Sequence, residues 1–214
     1  MTAKKILLYQ GGRYFGIEKN HKNFQGILEG YVVDNYETVD IFSNKDFFEY
    51  SALIFFSQEG EFTQEQEANV LDFVHEGKGF VGLHGASASF KSHPKYFEML
   101  GGKFIAHKEP MKFDINFLDN SHPITKGLSD FEFKDEPYRH DLSMGEDLHL
   151  LAEAHYHDKE DPEPEPMMWV KKYGKGKVFY CSLGHRNLSL KEEIYQVLIK
   201  RAVKWVLNFE KGDV

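Results

Sequence analysis

The sequence contains little cysteine: one residue, Cys181, among 214. A single thiol forms no disulfide within the chain and cannot supply the cysteine cluster of a structural zinc site. Cys181 also lies inside the apolar segment "VFYCSLG", with no basic neighbour that would activate it. We therefore expect a buried, inert thiol in a protein of the reducing cytoplasm.

Blocks of positive charge and long apolar runs are also missing. The formal net charge is −8, and lysine and arginine never occur more than two in a row. Such a chain is a poor ligand for nucleic acid or for anionic membranes. The apolar run after Lys4 and Lys5 is too short for a signal peptide, and no run is long enough to cross a bilayer. The expectation is a cytoplasmic protein that binds neither nucleic acid nor membrane.

Apolar residues are plentiful, at 41% of the chain, and can supply the core of a single domain over residues 1–214. The first half alternates strand-like and helix-like segments, which is typical of βαβ units and a parallel sheet. Thr63 and Gln66 form a capping box at one predicted helix, and Gly77 ends it. The predicted strands are "KKILLY", "ETVDIF", "SALIFFS" and "GFVGLH", and the predicted helices are "HKNFQGILEG" and "TQEQEANVLDFVHEGKG".

The second half is rich in strand-like segments with few helices between them, so some strands must be antiparallel. The segment 158–166, "DKEDPEPEP", is predicted to be an exposed loop, because five acids and three prolines cannot pack. The chain closes with an amphipathic helix whose inward face is predicted to comprise Ile194, Val197, Leu198, Ala202, Trp205 and Val206. The predicted strands are "KFIAH", "MKFDINFLD", "FEFKDE", "LHLLAEAHYH", "MMWVKKY" and "GKVFYCSLGH".

Polar residues follow nearly every predicted strand. In an open α/β sheet, ligands bind beyond the carboxyl ends of the strands, so these residues are expected to converge on one site. They are Gln10, Gly11, Arg13, Gln58, Glu59, His84, His107, Glu136, Tyr138 and His185.

The segment "GLHGA" places His84 where a strand-turn-helix elbow normally presents a serine or cysteine nucleophile. We expect the turn to leave His84 partly exposed at a helix N-terminus, where the helix dipole favours the neutral imidazole. A neutral imidazole can donate or accept a hydrogen bond, or bind a metal. His155 and His157 share a strand face but are interpreted as surface residues.

These motifs together resemble the ThuA-like family, named after trehalose utilisation, within the class I glutamine amidotransferase-like superfamily. The resemblance rests on "GLHGA", "YFEMLGGKFIAH", "HPITKGL", "DEPY", "MMWVKKYGKGKVFYCSLGH" and the closing helix. It implies a flavodoxin-like three-layer α/β/α sandwich, and a role in carbohydrate metabolism beside sugar oxidoreductases that act on disaccharides or their keto forms. Amidotransferases carry cysteine at the elbow, where this chain has His84, so we predict no glutaminase activity.

Three functions are compatible with these residues. The first is an enzyme or enzyme subunit that acts on a disaccharide or keto-sugar through His84, His107, His185 and Glu136. In that hypothesis the substrate-binding residues are Gln10, Gly11, Arg13, Gln58, Glu59 and Tyr138. The second is a non-catalytic module that binds a sugar or a partner, and the third is a divalent-metal hydrolase, with zinc as the metal.

Cofactors and partners are predicted more coarsely. The segment "YQGGRYFG" lacks the spacing of a dinucleotide fingerprint, so a redox step would need an oxidoreductase partner. The expected ligand is a small sugar, and no metal ligand is assigned from the sequence alone. The sequence leaves open whether the chain forms a homo-oligomer.

Overall fold

The computed structural model of the protein describes residues 3–12, 17–156 and 164–208, which form eleven β-strands and four α-helices. The strands are β1 (Lys5–Tyr9), β2 (Val32–Tyr36), β3 (Ala52–Phe55), β4 (Gly79–Leu83), β5 (Lys103–His107), β6 (Met111–Phe117), β7 (Phe131–Asp135), β8 (Tyr138–Asp141), β9 (His149–His155), β10 (Glu165–Tyr173) and β11 (Gly176–Cys181). The helices are α1 (Ile17–Ile27), α2 (Gln64–His75), α3 (Pro94–Leu100) and α4 (Glu193–Leu207).

Nine of the strands form one sheet in the order β2-β1-β3-β4-β11-β10-β9-β6-β7. The five strands from β2 to β11 run parallel, and each pair from β11 to β7 is antiparallel. β5 and β8 pair separately as a two-stranded antiparallel sheet. The protein therefore has the mixed α/β fold of the flavodoxin-like kind, and the antiparallel additions predicted for the second half are present.

The central strands are apolar on both faces, and alternate residues along a strand belong to different hydrophobic clusters. Along β1, Ile6 and Leu8 belong to one hydrophobic cluster, and Leu7 and Tyr9 belong to another. Residues of α1 and α4 complete the first cluster, and residues of α2 and α3 complete the second. This two-sided burial fixes the strand ends that carry the site.

Two predicted elements differ from the structure. The segment "ETVDIF" is not a strand: the edge strand lies earlier, at β2, and Val39–Ser43 form a 3-10 helix. The apolar residues there pack under α2, where the Asn69 side chain donates to the Phe42 carbonyl at 3.0 Å. The predicted exposed loop at 158–166 is wrong at its end, because Glu165 and Pro166 pair with β9. Residues 158–163 lie outside the described residues.

The closing helix is present with a rotated buried face. Leu198, Ala202 and Val206 are buried as predicted, whereas Ile194, Val197 and Trp205 are only partly buried. The remaining buried positions are Tyr195, Ile199, Val203 and Leu207. The rotation follows from packing over β4, where a Cβ on Gly79 would lie 2.7 Å from Val206.

Helix α2 begins as predicted. The Thr63 hydroxyl accepts from the Gln66 backbone N–H at 3.2 Å, and the Gln66 side chain accepts from the Thr63 N–H at 2.8 Å. Gly77 follows the helix with φ of 112°. Within the described parts of the chain, each helix is too short or too polar to cross a lipid bilayer.

Candidate functional site

The elbow after β4 positions His84. Its φ is +44°, a left-handed conformation that is costly for a residue with a Cβ. The flanking glycines permit it: a Cβ on Gly85 would lie 2.4 Å from the Ser57 carbonyl oxygen, and one on Gly82 would lie 2.8 Å from Leu100. The strained turn predicted from "GLHGA" is therefore present.

Two expectations about His84 are wrong. The residue is fully buried rather than partly exposed, because the loop after β11 covers it. The segment that follows is a five-residue 3-10 helix, His84–Ala88, so no α-helix dipole acts on the ring. The imidazole is oriented instead by a hydrogen bond between Nδ1 and the Ser182 carbonyl, at 2.7 Å.

Glu136 lies at the centre of three histidines. Its Oε2 atom is 3.5 Å from His84 Nε2 and 3.1 Å from His185 Nδ1, and its Oε1 atom is 3.1 Å from His107 Nδ1. The side chain of Glu136 is 10% exposed, whereas those of His185 and His107 are 33% and 45% exposed. The site thus runs from a buried floor at His84 to an open rim at His107.

The electrostatics of the site favour a carboxylate beside a charged imidazole. Burial acts to raise the pKa of Glu136, but hydrogen bonds and charge from His185 and His84 hold that pKa well below its usual range. The hydrogen bond to Glu136 raises the pKa of His185 against the opposing effect of partial burial. The Glu136–His185 pair can therefore hold a proton at the mouth of the site.

Aromatic rings wall the site. The Tyr138 ring lies 4.2 Å from the His84 ring between centroids, and the Phe104 ring lies 4.5 Å from Tyr138. Burial, followed by the charge of Glu136, raises the pKa of Tyr138 well above its usual value, so the hydroxyl keeps its proton. The Tyr138 side chain therefore stays uncharged beside the carboxylate.

A buried carboxylate supports the site from behind. Asp135 accepts hydrogen bonds from the backbone N–H groups of Glu136 at 2.8 Å, Gly184 at 2.7 Å and His185 at 3.1 Å. These contacts tie the end of β7, which carries Glu136, to the loop after β11, which carries His185. Asp135 therefore sets the separation of the two residues.

A second buried network fixes the elbow. The Tyr180 hydroxyl donates to the His84 carbonyl at 2.7 Å and contacts the Ser87 hydroxyl, also at 2.7 Å. His140 Nε2 lies 3.1 Å from Tyr180 and 3.2 Å from Ser87. Burial lowers the pKa of His140 to about 3, so this imidazole is neutral. The sequence analysis missed His140, although it shares the inward face of β8 with Tyr138.

Four predicted substrate-binding residues, Gln10, Gly11, Gln58 and Glu59, lie in a neighbouring pair of loops. Gln10 is fully buried and its amide donates to Asn35 and Ile17, so it holds the chain rather than lining an open surface. The Gly11 carbonyl accepts from the Gln58 N–H at 3.1 Å, which joins the two loops beside the elbow. Glu59 lines a cavity of about 320 Å³ with Gly60, Glu61, Ala88, Phe90 and Lys91. Arg13 lies outside the described residues.

Cys181 is fully buried, and burial raises the pKa of its thiol to about 12. The prediction of a buried thiol is confirmed. The thiol belongs to the core cluster beside α4 rather than to the elbow.

The fold and the site define a class: α/β proteins of the flavodoxin-like kind with a strained elbow at the carboxyl end of a parallel strand. The sequence profile of the ThuA family, described as trehalose utilisation, matches residues 5–206. The chain belongs to the ThuA family. No curated protein matches the chain.

Solved structures support the fold. A structure described as a ThuA-like protein from Parabacteroides merdae is 22% identical, with a TM-score of 0.83 over 97% of this chain and 91% of that one. Another, from Bacteroides uniformis, is 19% identical, with a TM-score of 0.80 over 99% and 95% of the two chains. A β-galactosidase from Rahnella sp. R3 is 14% identical, with a TM-score of 0.66 over 95% of this chain and 31% of that chain.

Proposed function

We propose that the protein acts in carbohydrate metabolism of the trehalose-utilisation type, on a disaccharide or a keto-sugar. The observation that carries the proposal is the meeting of one carboxylate, Glu136, with three imidazoles from separate segments of the chain. Sugar hydroxyls and glycosidic oxygens react by gaining and losing protons, and carboxylate and imidazole groups supply that chemistry near neutral pH. Membership of the ThuA family favours a sugar as the substrate.

Each residue has a role in this proposal. The Glu136–His185 pair exchanges a proton with the sugar, since the pair lies at the mouth of the site and shares a hydrogen bond. His107, the most exposed imidazole, meets the sugar at the rim. Phe104, which is partly buried, offers a ring face for the apolar side of a pyranose, and the fully buried Tyr138 packs behind it. His84 anchors Glu136 from below.

The test is turnover of a panel that includes trehalose, other disaccharides and their keto derivatives, assayed with and without a nicotinamide-dependent sugar oxidoreductase. Glu136→Gln is expected to lower turnover by roughly 10²–10⁴-fold, because the amide cannot exchange the proton. Glu153→Gln is the matched control, since Glu153 makes a carboxylate–histidine pair with His155 at 2.7 Å on another strand. It is expected to keep full turnover.

Two results would refute the catalytic proposal. One is equal turnover by the Glu136→Gln variant and the parent protein. The other is saturable binding of a panel sugar, seen as a rise in melting temperature, with no product formed under any condition. The second result would instead support a non-catalytic sugar-binding module.

A further inference from the structure

Three side chains of the site have the spacing of a metal centre. One ligand atom each from His84, Glu136 and His185 lies within 4.8 Å of the other two. The contacts that share Glu136 Oε2 are 3.5 Å to His84 Nε2 and 3.1 Å to His185 Nδ1. In a tetrahedral zinc site with ligands at about 2.0–2.1 Å, neighbouring ligand atoms lie about 3.3 Å apart. The two separations at Glu136 Oε2 bracket that value.

The tautomer of His84 supports the same conclusion. The Ser182 carbonyl can only accept a hydrogen bond, so Nδ1 of His84 must carry the proton. Nε2 of His84 then faces Glu136 Oε2 at 3.5 Å, so the two atoms need either a proton on Nε2 or a cation between them. A backbone carbonyl on the far nitrogen is also the usual orienting contact of a metal-binding histidine.

We propose that His84, Glu136 and His185 bind a divalent cation, with zinc the best match to two imidazoles and one carboxylate. Three protein ligands leave a fourth position for water or a sugar oxygen, as in catalytic rather than structural zinc sites. His107 contacts the other oxygen of Glu136 and stays outside the coordination shell as a proton carrier. Asp135 acts behind the site, since it holds the backbone of both Glu136 and His185.

The inference concerns the site of the proposed function and rests on it for the role of the metal, but binding is measured without any sugar. The cation would take the position of the proton that Glu136 and His185 share in its absence. It would polarise a sugar hydroxyl or carbonyl oxygen. Zinc binding without turnover would leave the metal site standing while the catalytic proposal fails. Full turnover by a chelator-treated protein free of zinc would show that the reaction does not need the metal, and the catalytic proposal would stand.

The experiment is equilibrium dialysis of the chelator-stripped, full-length protein against Zn²⁺, with bound metal counted by elemental analysis. We expect one equivalent per chain. His185→Ala and Glu136→Gln each remove a ligand and are expected to weaken binding by more than about 100-fold, the upper range for losing a mere outer contact. Both residues lie toward the open side of the site, so these variants remain testable if His84→Gln fails to fold.

Two control variants separate the site from adventitious histidines. His155→Ala removes a partly exposed histidine that pairs with Glu153, and it is expected to keep one equivalent of zinc at parental affinity. His107→Ala removes an outer contact of Glu136 and is expected to weaken binding by about 10–100-fold, less than the loss of a ligand. Failure of the parent protein to bind a stoichiometric equivalent of zinc would overturn the proposal. Undiminished binding by both His185→Ala and Glu136→Gln would overturn it as well.

Discussion

Asp135 shows how much of the site depends on a residue that faces away from it. Its carboxylate accepts three backbone N–H groups, and two of them belong to Glu136 and His185. One carboxylate thus holds two separate segments at a fixed distance without a disulfide. Asp135 directly precedes Glu136 at the end of β7, and its carboxylate points away from the site toward these backbone N–H groups.

Asp135→Asn is expected to lower the free energy of unfolding by about 1–3 kcal/mol, because the amide group turns a donor toward a buried backbone N–H. Urea denaturation measures the loss. The control is Asp141→Asn, since Asp141 accepts from the Ser143 N–H on the surface. An equal effect of the two substitutions would argue against a special role for Asp135.

The burial of His140 makes the stability of the folded protein depend on pH. Its pKa is about 3 in the folded protein, against 6.5 for an unperturbed histidine, because the ring is buried. The unfolded chain therefore binds more protons between these values, and this contribution to stability is lost as the pH falls below 6.5.

When the pH is lowered from 7 to 5, His140 is expected to lower the free energy of unfolding of the parent protein by about 2 kcal/mol. In the His140→Gln variant this loss is absent, because glutamine does not titrate and can still bond Ser87 and Tyr180. Urea denaturation at the two pH values gives the comparison. Identical slopes with pH for the two proteins would show that His140 is not buried in its neutral form.

At the scale of elements, the elbow depends on the glycine that follows His84. A methyl group on Gly85 would meet the Ser57 carbonyl at 2.4 Å, and a backbone atom cannot rotate away. Gly85→Ala is expected to destabilise the protein by about 1–3 kcal/mol through overpacking.

The matched control is Gly26→Ala in helix α1, where an added Cβ meets nothing within 4 Å. That substitution should stabilise the protein by up to about 1 kcal/mol, the difference in helix propensity. Thermal unfolding of both variants tests the pair. A stable Gly85→Ala protein with unchanged sugar turnover would mean that the elbow does not need its close approach to Ser57.

The sequence pattern identified the central strands of the sheet but not its edge strand. β3, β4 and β11 are apolar on both faces, and that run of apolar residues identifies a central strand without any neighbour. β2 is an edge strand that carries Asp34 and Asn35. Because this pattern is polar, the later segment "ETVDIF" was predicted as the strand instead. Strand pairing decides such cases, and pairing is not encoded locally.

At the scale of the whole molecule, parallel topology accounts for the convergence of the histidines. His84 and His185 follow β4 and β11, which are parallel neighbours, so their loops meet at one edge of the sheet. His107 and Glu136 arrive from β5 and from the end of β7; the strand-exit pattern placed both at the site, but it did not predict the separate β5–β8 sheet. That residues 1–214 form a single domain stays a prediction, although strands from both halves share one sheet.

The whole fold also predicts what the protein does not do. Glutamine hydrolysis through an elbow nucleophile needs a thiolate at the elbow, and Cys181 is instead a buried thiol whose pKa is raised to about 12. We expect no ammonia release from glutamine by the parent protein or by His84→Cys, because that substitution restores one position of the amidotransferase pattern and not its substrate pocket. Ammonia release that disappears in Cys181→Ala would contradict this.

The most direct test of the central claim, that the Glu136 cluster is where a sugar binds, is a crystal structure of the Glu136→Gln variant soaked with trehalose, or with the panel sugar that most raises the melting temperature. We predict sugar density within hydrogen-bond distance of the residue 136 side chain and of His185, with a ring face toward Phe104. Density confined to the cavity beside Glu59 and Phe90 would contradict the account.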